Sequence, residues 1–467
     1  MSTAGCFLSL FFFGLLAFCN ALRHPFVHDD VIFILRNPHI ADLGHWYGAF
    51  QAPKVAAGLN TYYRPLLEVL YRLEYRLFGP HAFGFHLLNV IVHTVNGLLL
   101  FGLLEKLGFK RGAAWVVACI FLVHPVQTEA VSCISGISNL WMAMGVLLAL
   151  HAYLNKWYAA ALLCFVTACL GKEQALLFVP LVVVIDCWRG RKDFRAWGLF
   201  ALAAGALLIG RRIVTGASLL GAIMASPGEL CLRLAAIPRD IGMYVRLIFF
   251  PYGLHYYRST DILQPDGLAW TFLFMALLAI LYVCKRWPAA RGTLFLGLGW
   301  FLAALLPVLN IVPLVNEYSF ILTPEHFLYL PIVGILIIAV AAGDHFLKSS
   351  ARPLAGLVII TCLLLTWHQN TFWRSETALF ERTLQFEPNF GRGHWLLAKA
   401  YYADGRPQLA QGHFKRAYAI FSAYARKAKS KPAKDFYLRY LKHISSDWSQ
   451  NERVLGRGAI SNTFAFH

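Results

Sequence analysis

The sequence predicts an all-α polytopic membrane protein with about eleven transmembrane helices and a soluble helical region at its C-terminus. Two compositional observations favour this class: 58% of the 467 residues are hydrophobic and only 14% are charged, with a mean hydropathy of +0.56. Soluble domains average about 45–50% apolar and about 25% charged residues. A third observation is an abrupt change to polar, basic composition after residue 370. We therefore expect a membrane domain, residues 1–370, and a soluble helical domain, residues 371–467.

Eleven apolar runs approach the roughly 17–25 residues that a helix needs to cross a bilayer. They are residues 5–22, 82–104, 113–131, 137–154, 157–171, 174–188, 196–210, 267–284, 292–312, 327–347 and 353–369. The first run lacks a basic n-region and has a poor small-x-small cleavage site at residues 20–22, so we interpret it as a helix and not as a cleavable signal. A further stretch, 238–254, is interrupted by Arg246 and Pro251 and is interpreted as re-entrant or interfacial.

Basic residues in four short loops predict the orientation of the helices, because such loops favour the cytoplasmic side. The four sets are Lys106, Lys110 and Arg111; Arg189, Arg191, Lys192 and Arg195; Lys285, Arg286 and Arg291; and Lys348 and Arg352. This assignment places the N-terminus inside. It places the first outer loop, residues 23–81, and the C-terminal domain on the non-cytoplasmic side.

Most of the unusual polar residues then fall on the outer face, on five separate loops. They are Asp29 and Asp30, Arg64, His124 to Glu129, Lys172 and Glu173, His255 to Asp266, and Glu317 to His326. A charge at membrane depth costs about 2.5–3.5 kcal/mol on insertion scales and usually marks a site or a pathway. Structural alternatives stay open: the Asp29-Asp30 pair can end a helix, and Lys172 can form an ion pair with Glu173.

The ten cysteines are scattered through apolar runs without CxxC spacing, so they indicate neither a zinc site nor a disulfide framework. Small buried apolar residues are the simplest interpretation.

Residues 371–467 carry 16 Lys and Arg against 7 Asp and Glu and show a helix-turn-helix repeat pattern. A 34-residue repeat starting near Gly391, with Gly405 at its turn, is similar to a tetratricopeptide repeat. The residues that fit its packing positions are Leu397, Ala398, Tyr401, Ala410, Phe414 and Ala417. One and a half such repeats cannot bury a stable stack alone, so we expect this region to gain stability by binding the membrane domain or a partner protein. We read its basic surplus as a solvated face and expect no nucleic-acid binding.

Several short motifs occur in the order found in one family. They are residues 27–30 (VHDD), 36–38 (RNP), 63–66 (YRPL), 85–89 (FHLLN) with His93, 124–131 (HPVQTEAV), 171–173 (GKE), 300–313 and 325–331 (EHFLYLP). Together they resemble the transmembrane and tetratricopeptide repeat-containing proteins, a branch of the GT-C glycosyltransferases similar to protein O-mannosyltransferases. The resemblance covers residues 20–420.

The resemblance implies a GT-C-like fold and an inverting transfer of a sugar from a polyprenyl-phosphate carrier to Ser or Thr of an extracytoplasmic protein acceptor. Asp29 or Asp30 would be the general base, because a hydroxyl is a poor nucleophile until a positioned carboxylate accepts its proton. The implied donor-phosphate ligands are Arg64, Lys172, Arg258 and His326, and the supporting residues are Tyr63, His86, His124, Glu129, Glu173 and Glu325. Arg64 is the first choice among the cations, because a guanidinium binds phosphate oxygens bidentately. We expect neither a metal nor another cofactor. The expected partners are membrane lipids, the lipid-linked sugar and a protein.

Two departures from the family pattern leave a second function open. Ile137 and Asn139 stand where an arginine and an aspartate are usual, and His326 stands where an arginine is usual. Loss of these charges would suit a non-catalytic membrane scaffold that keeps the fold and binds a partner through its C-terminal repeats. A transporter fits poorly, because the charges lie at one face and not near the midplane. The expected membrane is a bacterial inner membrane, otherwise the endoplasmic reticulum.

Overall fold

A computed structural model describes residues 2–51, 63–216, 227–261, 267–309, 320–428 and 431–456. The chain folds as two units: residues 1–254 with 259–371, and residues 255–258 with 372–467. Parts of two predicted outer segments, residues 262–266 and 317–319, lie outside the described residues, as do residues 310–313 of one family motif.

The first unit is built almost entirely of helices. Its first nine α-helices are α1 (Thr3–Phe18), α2 (Pro65–Phe78), α3 (Ala82–Lys106), α4 (Arg111–Val123), α5 (Thr128–Ser132), α6 (Ile137–Leu154), α7 (Tyr158–Gly171), α8 (Phe178–Trp188) and α9 (Phe194–Thr215). The next five are α10 (Pro227–Phe249), α11 (Gly267–Arg286), α12 (Arg291–Leu305), α13 (Ile332–Phe346) and α14 (Ala351–Asn370). Two three-residue strands, Ser259–Asp261 and Phe320–Leu322, pair antiparallel, with Thr260 opposite Ile321.

Short 3₁₀ segments and one π-helical turn connect these helices. The π-helical turn is Val31–Leu35. The 3₁₀ segments are Cys19–Ala21, Trp46–Phe50, Pro125–Gln127, Ile134–Gly136, Glu173–Leu177, Pro288–Ala290, Leu306–Val308, Glu325–Leu328, Lys348–Ser350 and Thr371–Trp373.

Seven helical segments among the described residues are long and apolar enough to cross a membrane. They are Thr3–Ala21, Ala82–Lys106, Ile134–Leu154, Phe194–Thr215, Gly267–Arg286, Pro288–Val308 and Lys348–Trp373. The bent pair Arg111–Val123 and Pro125–Ser132 makes an eighth if it counts as one span, while α7 and α13 are apolar but shorter. An all-α polytopic membrane protein is therefore confirmed, and the number of eleven spans stays a prediction.

The bend of 50° between α4 and α5 follows from one proline. The proline ring disfavours the helical region for the residue before it, and His124 is extended with ψ of 129°. Its Nδ1 accepts a hydrogen bond from Val126 N at 3.2 Å, which caps the new turn. The chain is extended again at Cys133 before α6 begins. This break makes residues 124–136 one irregular segment around the short helix α5, where buried backbone needs side-chain partners.

Helices α12 and α13 pack closely because glycines meet at their contact. A Cβ built on Gly334 would lie 2.2 Å from Gly297 O, and one built on Gly297 would lie 2.6 Å from Gly334 O. Small residues of this kind let helix backbones approach in membranes. A larger side chain at either position would push the two helices apart.

The second unit contains α15 (Glu376–Phe386), α16 (Gly391–Ala403), α17 (Pro407–Lys427) and α18 (Lys431–Val454). Helices α16 and α17 form a hairpin whose turn contains Gly405 with φ of 70°, a conformation that costs glycine little. All six residues that the sequence placed at repeat packing positions are buried. Their burial agrees with the spacing, and the assignment to a tetratricopeptide repeat stays a prediction.

Candidate active site

Asp30 is a fully buried carboxylate that holds backbone amides. Its Oδ1 accepts a hydrogen bond from Ser135 N at 2.7 Å, and its Oδ2 accepts from Val27 N at 3.2 Å and Ile134 N at 3.4 Å. Burial raises the pKa of Asp30 to about 6, although the backbone hydrogen bonds favour the ionised form. Asp30 thus ties the loop after α1 to the irregular segment before α6.

The same segment is held by two further side chains. Asn89 donates from Nδ2 to the carbonyl oxygens of residues 131, 133 and 134, at 3.1, 2.9 and 3.3 Å. Tyr71 donates from its hydroxyl to Ser135 O at 3.3 Å. Helices α2 and α3 therefore both fix the break that receives Asp30, which gives the carboxylate pair a rigid surrounding.

Asp29 differs sharply from its neighbour in exposure. Its side chain is 35% exposed, and its Oδ1 lies 3.2 Å from His28 Nε2. His28 has a left-handed φ of 51°, which is uncommon for a residue with a Cβ and turns the chain between Val27 and Asp29. The structure therefore separates the pair into an accessible carboxylate, Asp29, and a buried structural one, Asp30.

Arg64 and Glu173 form a bidentate ion pair. Arg64 Nε donates to Glu173 Oε2 at 2.9 Å and Arg64 Nη2 donates to Oε1 at 2.7 Å, while Arg211 lies 3.9 Å from the same carboxylate. Although burial opposes ionisation, the Arg64 guanidinium holds the pKa of Glu173 well below its usual value. Arg64 stands just before Pro65, the first residue of α2, so the start of this helix is tied to the segment after α7.

Lys172 is buried, and its ammonium has a neutral partner. Its Nζ donates to Asn139 Oδ1 at 2.5 Å and lies 5.9 Å from the centre of the Phe327 ring. Burial lowers the pKa of Lys172 to about 7, and the charge of Arg64 adds to this, against the attraction of Glu173 and Glu129. An anion beside this ammonium would raise its pKa again, because a nearby negative charge favours the protonated form.

Glu129 and His326 form a second pair in which a carboxylate faces a histidine ring nitrogen. Glu129 Oε2 accepts from His326 N at 2.9 Å, and Oε1 lies 2.8 Å from His326 Nδ1. Burial lowers the pKa of His326, although the charge of Glu129 opposes this. These bonds join α5 to the turn Glu325–Leu328, in which Glu325 is also buried.

These groups form one connected neighbourhood. The charges of Arg64, Glu173 and Glu129 all act on Lys172. Burial raises the pKa of the Cys133 thiol, and the charges of Asp30, Asp29 and Glu129 raise it further. The structure therefore brings together most of the predicted charged residues of the first unit.

Three predicted supporting residues hold loops by side-chain hydrogen bonds. Tyr63 donates to Phe50 O at 3.2 Å, His86 Nε2 lies 3.1 Å from His24 O, and His124 Nε2 lies 2.9 Å from Ile248 O. Arg258 belongs to the second unit, where its Nη2 lies 3.3 Å from His255 Nδ1.

Sequence reasoning missed Glu74. This residue is 1% exposed, and neither of its carboxylate oxygens has a hydrogen-bond partner within the described residues. Burial and the charge of Asp30 raise its pKa to about 8, so it is mostly protonated at neutral pH. One buried face of α2 contains Leu67, Tyr71 and Glu74. An acidic residue at the spacing of this apolar face is the sequence signal that predicts a buried carboxyl group.

Replacing Glu74 with Gln should remove a pH dependence of stability. The pKa of Glu74 rises from 4.5 to about 8 on folding, so the folded state retains a proton that the unfolded chain releases. Stability should therefore fall as the pH rises through this window, by up to a few kcal/mol, and then level off. Thermal unfolding is measured for both proteins between pH 4 and 9. We expect the unfolding midpoint of the variant to exceed that of the wild type most above pH 8. Parallel profiles for the two proteins would contradict this.

Fold and site together define an integral multi-pass membrane protein with a charged site where several helices end. Its relatives are protein O-mannosyl-transferases. One from Caenorhabditis elegans is 23% identical over 89% of this chain and 63% of its own length. TMTC4 of Mus musculus is 25% identical over 86% of this chain and 64% of its own length. TMTC1 of Homo sapiens is 38% identical over 30% of this chain and 16% of its own length.

The resemblance that the motifs predicted is confirmed, since the homologues are named protein O-mannosyl-transferases of the TMTC group. This chain spans less than two thirds of the length of these relatives. No family model matches the chain. No solved structure matches it either.

Proposed function

We propose that this protein is a membrane glycosyltransferase that moves a sugar from a polyprenyl-phosphate carrier to Ser or Thr of a protein acceptor. One observation carries the proposal: the accessible carboxylate Asp29 and the cations Arg64 and Lys172 lie around Glu129, since the charges of Asp29 and Glu129 both act on Cys133 and those of Arg64 and Glu129 both act on Lys172. A carboxylate and phosphate-binding cations are the two groups that this reaction needs. The names of the relatives support the reaction class and suggest mannose as the sugar to test first.

In the proposed step Asp29 accepts the proton of the acceptor hydroxyl, and the hydroxyl oxygen attacks the anomeric carbon of the sugar. The bond from that carbon to the phosphate oxygen breaks, and the carrier phosphate leaves with the electron pair. A single displacement of this kind inverts the anomeric configuration. His28, 3.2 Å from Asp29, orients the carboxylate for the hydroxyl.

Lys172 is the better prepared of the two cations for a phosphate. Its partner Asn139 is neutral, so a phosphate can approach without breaking an ion pair, whereas Nε and Nη2 of Arg64 are both engaged by Glu173. The ammonium would stay protonated beside the phosphate, because an opposite charge favours the charged form. We propose Lys172 as the primary phosphate ligand. Arg64 and His326 remain proposed ligands.

The test is transfer from polyprenyl-phosphate mannose, labelled in the sugar, to Ser/Thr-containing peptides by the full chain in proteoliposomes. We expect labelled peptide whose sugar is released by β-elimination. Activity should persist in EDTA, because the proposed step uses no metal. Complete loss in EDTA with recovery on adding Mn²⁺ would overturn the metal-free mechanism, and absence of transfer from any polyprenyl-phosphate sugar would overturn the function.

A second candidate, a non-catalytic scaffold, is favoured by a specific observation. Both cations already have partners inside the protein, and Lys172 contacts Asn139 at a position where the family usually has an aspartate. In this case the second unit, with its hairpin of α16 and α17, would hold the partner. Under the enzyme proposal, the same unit recruits the acceptor.

The proposed site requires the first outer loop and the C-terminal unit on the non-cytoplasmic side. In a cysteine-free background, single cysteines replacing Gly44 and Arg406 should react with an impermeant maleimide only from that side. A cysteine replacing Arg191, in a basic loop, should react only from the opposite side. Cytoplasmic labelling at position 406 would overturn this orientation.

A further inference from the structure

A large apolar groove runs along the first unit, from a cluster of basic residues to His124. Its volume is about 1370 Å³, and it lies among α4, α13, α14 and the end of α10. Small-molecule pockets usually have volumes of about 300–1,000 Å³, so this groove exceeds that class. The side chains along it are mostly apolar, as Trp115, Leu336 and Leu357 illustrate. A groove of this size and lining suits long hydrocarbon chains.

The charges of the groove are concentrated at one end. Lys110, Lys348 and Arg352 line that end, with Asp344 as the acid among them. Arg111 also lines it, but its Nε is bonded to Glu105 at 2.7 Å. The end therefore has a surplus of positive charge that an anion would complement.

The backbone adds to this positive end. Helix α4 begins there, with no acidic residue in its first turn and no side-chain hydrogen bond from its N-cap, Lys110. The amides at a helix N-terminus carry partial positive charge and favour an anion. Side chains and helix dipole thus act in the same direction.

This basic end lies far from the proposed reaction. Helix α4 has 13 residues and runs from the basic end to His124, which lines the groove at the other end. At 1.5 Å per residue, the two ends are about 20 Å apart. The break that follows His124 contains Ser135, whose N–H donates to Asp30, so a phosphate at Lys110 lies at the opposite end of α4 from the aspartate pair. The occupant is therefore not the sugar donor in its reactive position.

We propose that the groove binds one anionic glycerophospholipid, with its phosphate among Lys110, Lys348 and Arg352 and its acyl chains along α13 and α14. This site is independent of the proposed glycosyl transfer. Basic pockets between transmembrane helices bind anionic headgroups in this way. Basic loops alone would only orient the protein in the membrane. Binding of this lipid requires both the groove and its basic end.

The test measures lipid retention by native mass spectrometry of the full chain. The protein is equilibrated in micelles containing phosphatidylglycerol, phosphatidylcholine and a polyprenyl phosphate in equal amounts. We expect phosphatidylglycerol to be retained at least 5-fold over phosphatidylcholine. Replacing the three basic residues of the groove by Ala should abolish this preference. Replacing Arg189, Arg191 and Lys192 by Ala, a matched set in another basic loop, should leave it unchanged.

A second variant tests the groove itself. A Cβ on Gly343 would meet no atom within 4 Å, and Gly343 lines the groove, so Gly343→Phe should fill it without a backbone clash. Gly356, also open to a Cβ but not part of the lining, provides the control Gly356→Phe. Only the first should lower retention. Equal retention of the two phospholipids by the wild type, retention of the polyprenyl phosphate that is lost when the three basic groove residues are replaced, or equal losses in both basic-loop sets would overturn the proposal.

Discussion

Replacing Asp29 with Asn should lower the rate of sugar transfer about 100-fold or more while the protein stays folded. A positioned general base contributes about 10²–10⁴-fold to a proton-transfer step, and an amide cannot accept the hydroxyl proton. The side chain of Asp29 is 35% exposed and contacts His28 through one oxygen, so the amide can occupy the same space. The measurement is the initial rate of transfer from polyprenyl-phosphate mannose, together with the thermal unfolding midpoint.

Asp30→Asn provides the contrast. Both oxygens of Asp30 accept backbone N–H bonds, and the amide nitrogen of Asn would place a donor against donors. A buried group left without its partner costs about 1–3 kcal/mol, so this variant should lose stability first. Normal transfer by a folded Asp29→Asn protein would exclude Asp29 as the base. A folded, stable but inactive Asp30→Asn protein would transfer the role to Asp30.

Most helices could be predicted from the sequence because their causes are local, but the run 113–131, predicted as one span, is broken at Pro125. Apolar runs of sufficient length define the helices, and a proline restricts the residue before it. The different burial of Asp29 and Asp30 could not be predicted from the local sequence. Nothing in the order of Asp29 and Asp30 tells which is buried, since that depends on amides of residues 134 and 135, more than one hundred positions away.

The partners of Lys172 and Glu173 could not be predicted from the local sequence either. The sequence left open an ion pair between these neighbours, but the structure directs them to different partners. Lys172 is extended, with φ of −159° and ψ of 129°, and Glu173 begins a 3₁₀ segment. Consecutive residues in such a turn face different directions, so Lys172 contacts Asn139 while Glu173 contacts Arg64. Only the tertiary fold determines these partners.

Replacing Glu173 with Gln should destabilise the protein by about 3–5 kcal/mol, which is typical for breaking a buried ion pair. The side chains of Arg64 and Glu173 are only 18% and 13% exposed, so the variant leaves a desolvated guanidinium without its bidentate partner. Glu105→Gln supplies the control: Arg111 and Glu105 also form a pair at 2.7 Å, but they are 47% and 26% exposed. An exposed pair contributes about 0–1 kcal/mol. The measurement is the shift in unfolding free energy in detergent.

Replacing both partners separates the stability of this pair from its proposed chemistry. Arg64→Met with Glu173→Met should recover most of the lost stability, because apolar residues of similar volume often replace a buried pair at little cost. If Arg64 also binds the donor phosphate, this stable double variant should transfer sugar more slowly than wild type and need more donor for half-maximal rate. Full activity in the stable double variant would assign Arg64 to structure alone and leave Lys172 as the phosphate ligand. Equal small losses in Glu173→Gln and Glu105→Gln would show that the pair contributes little to folding.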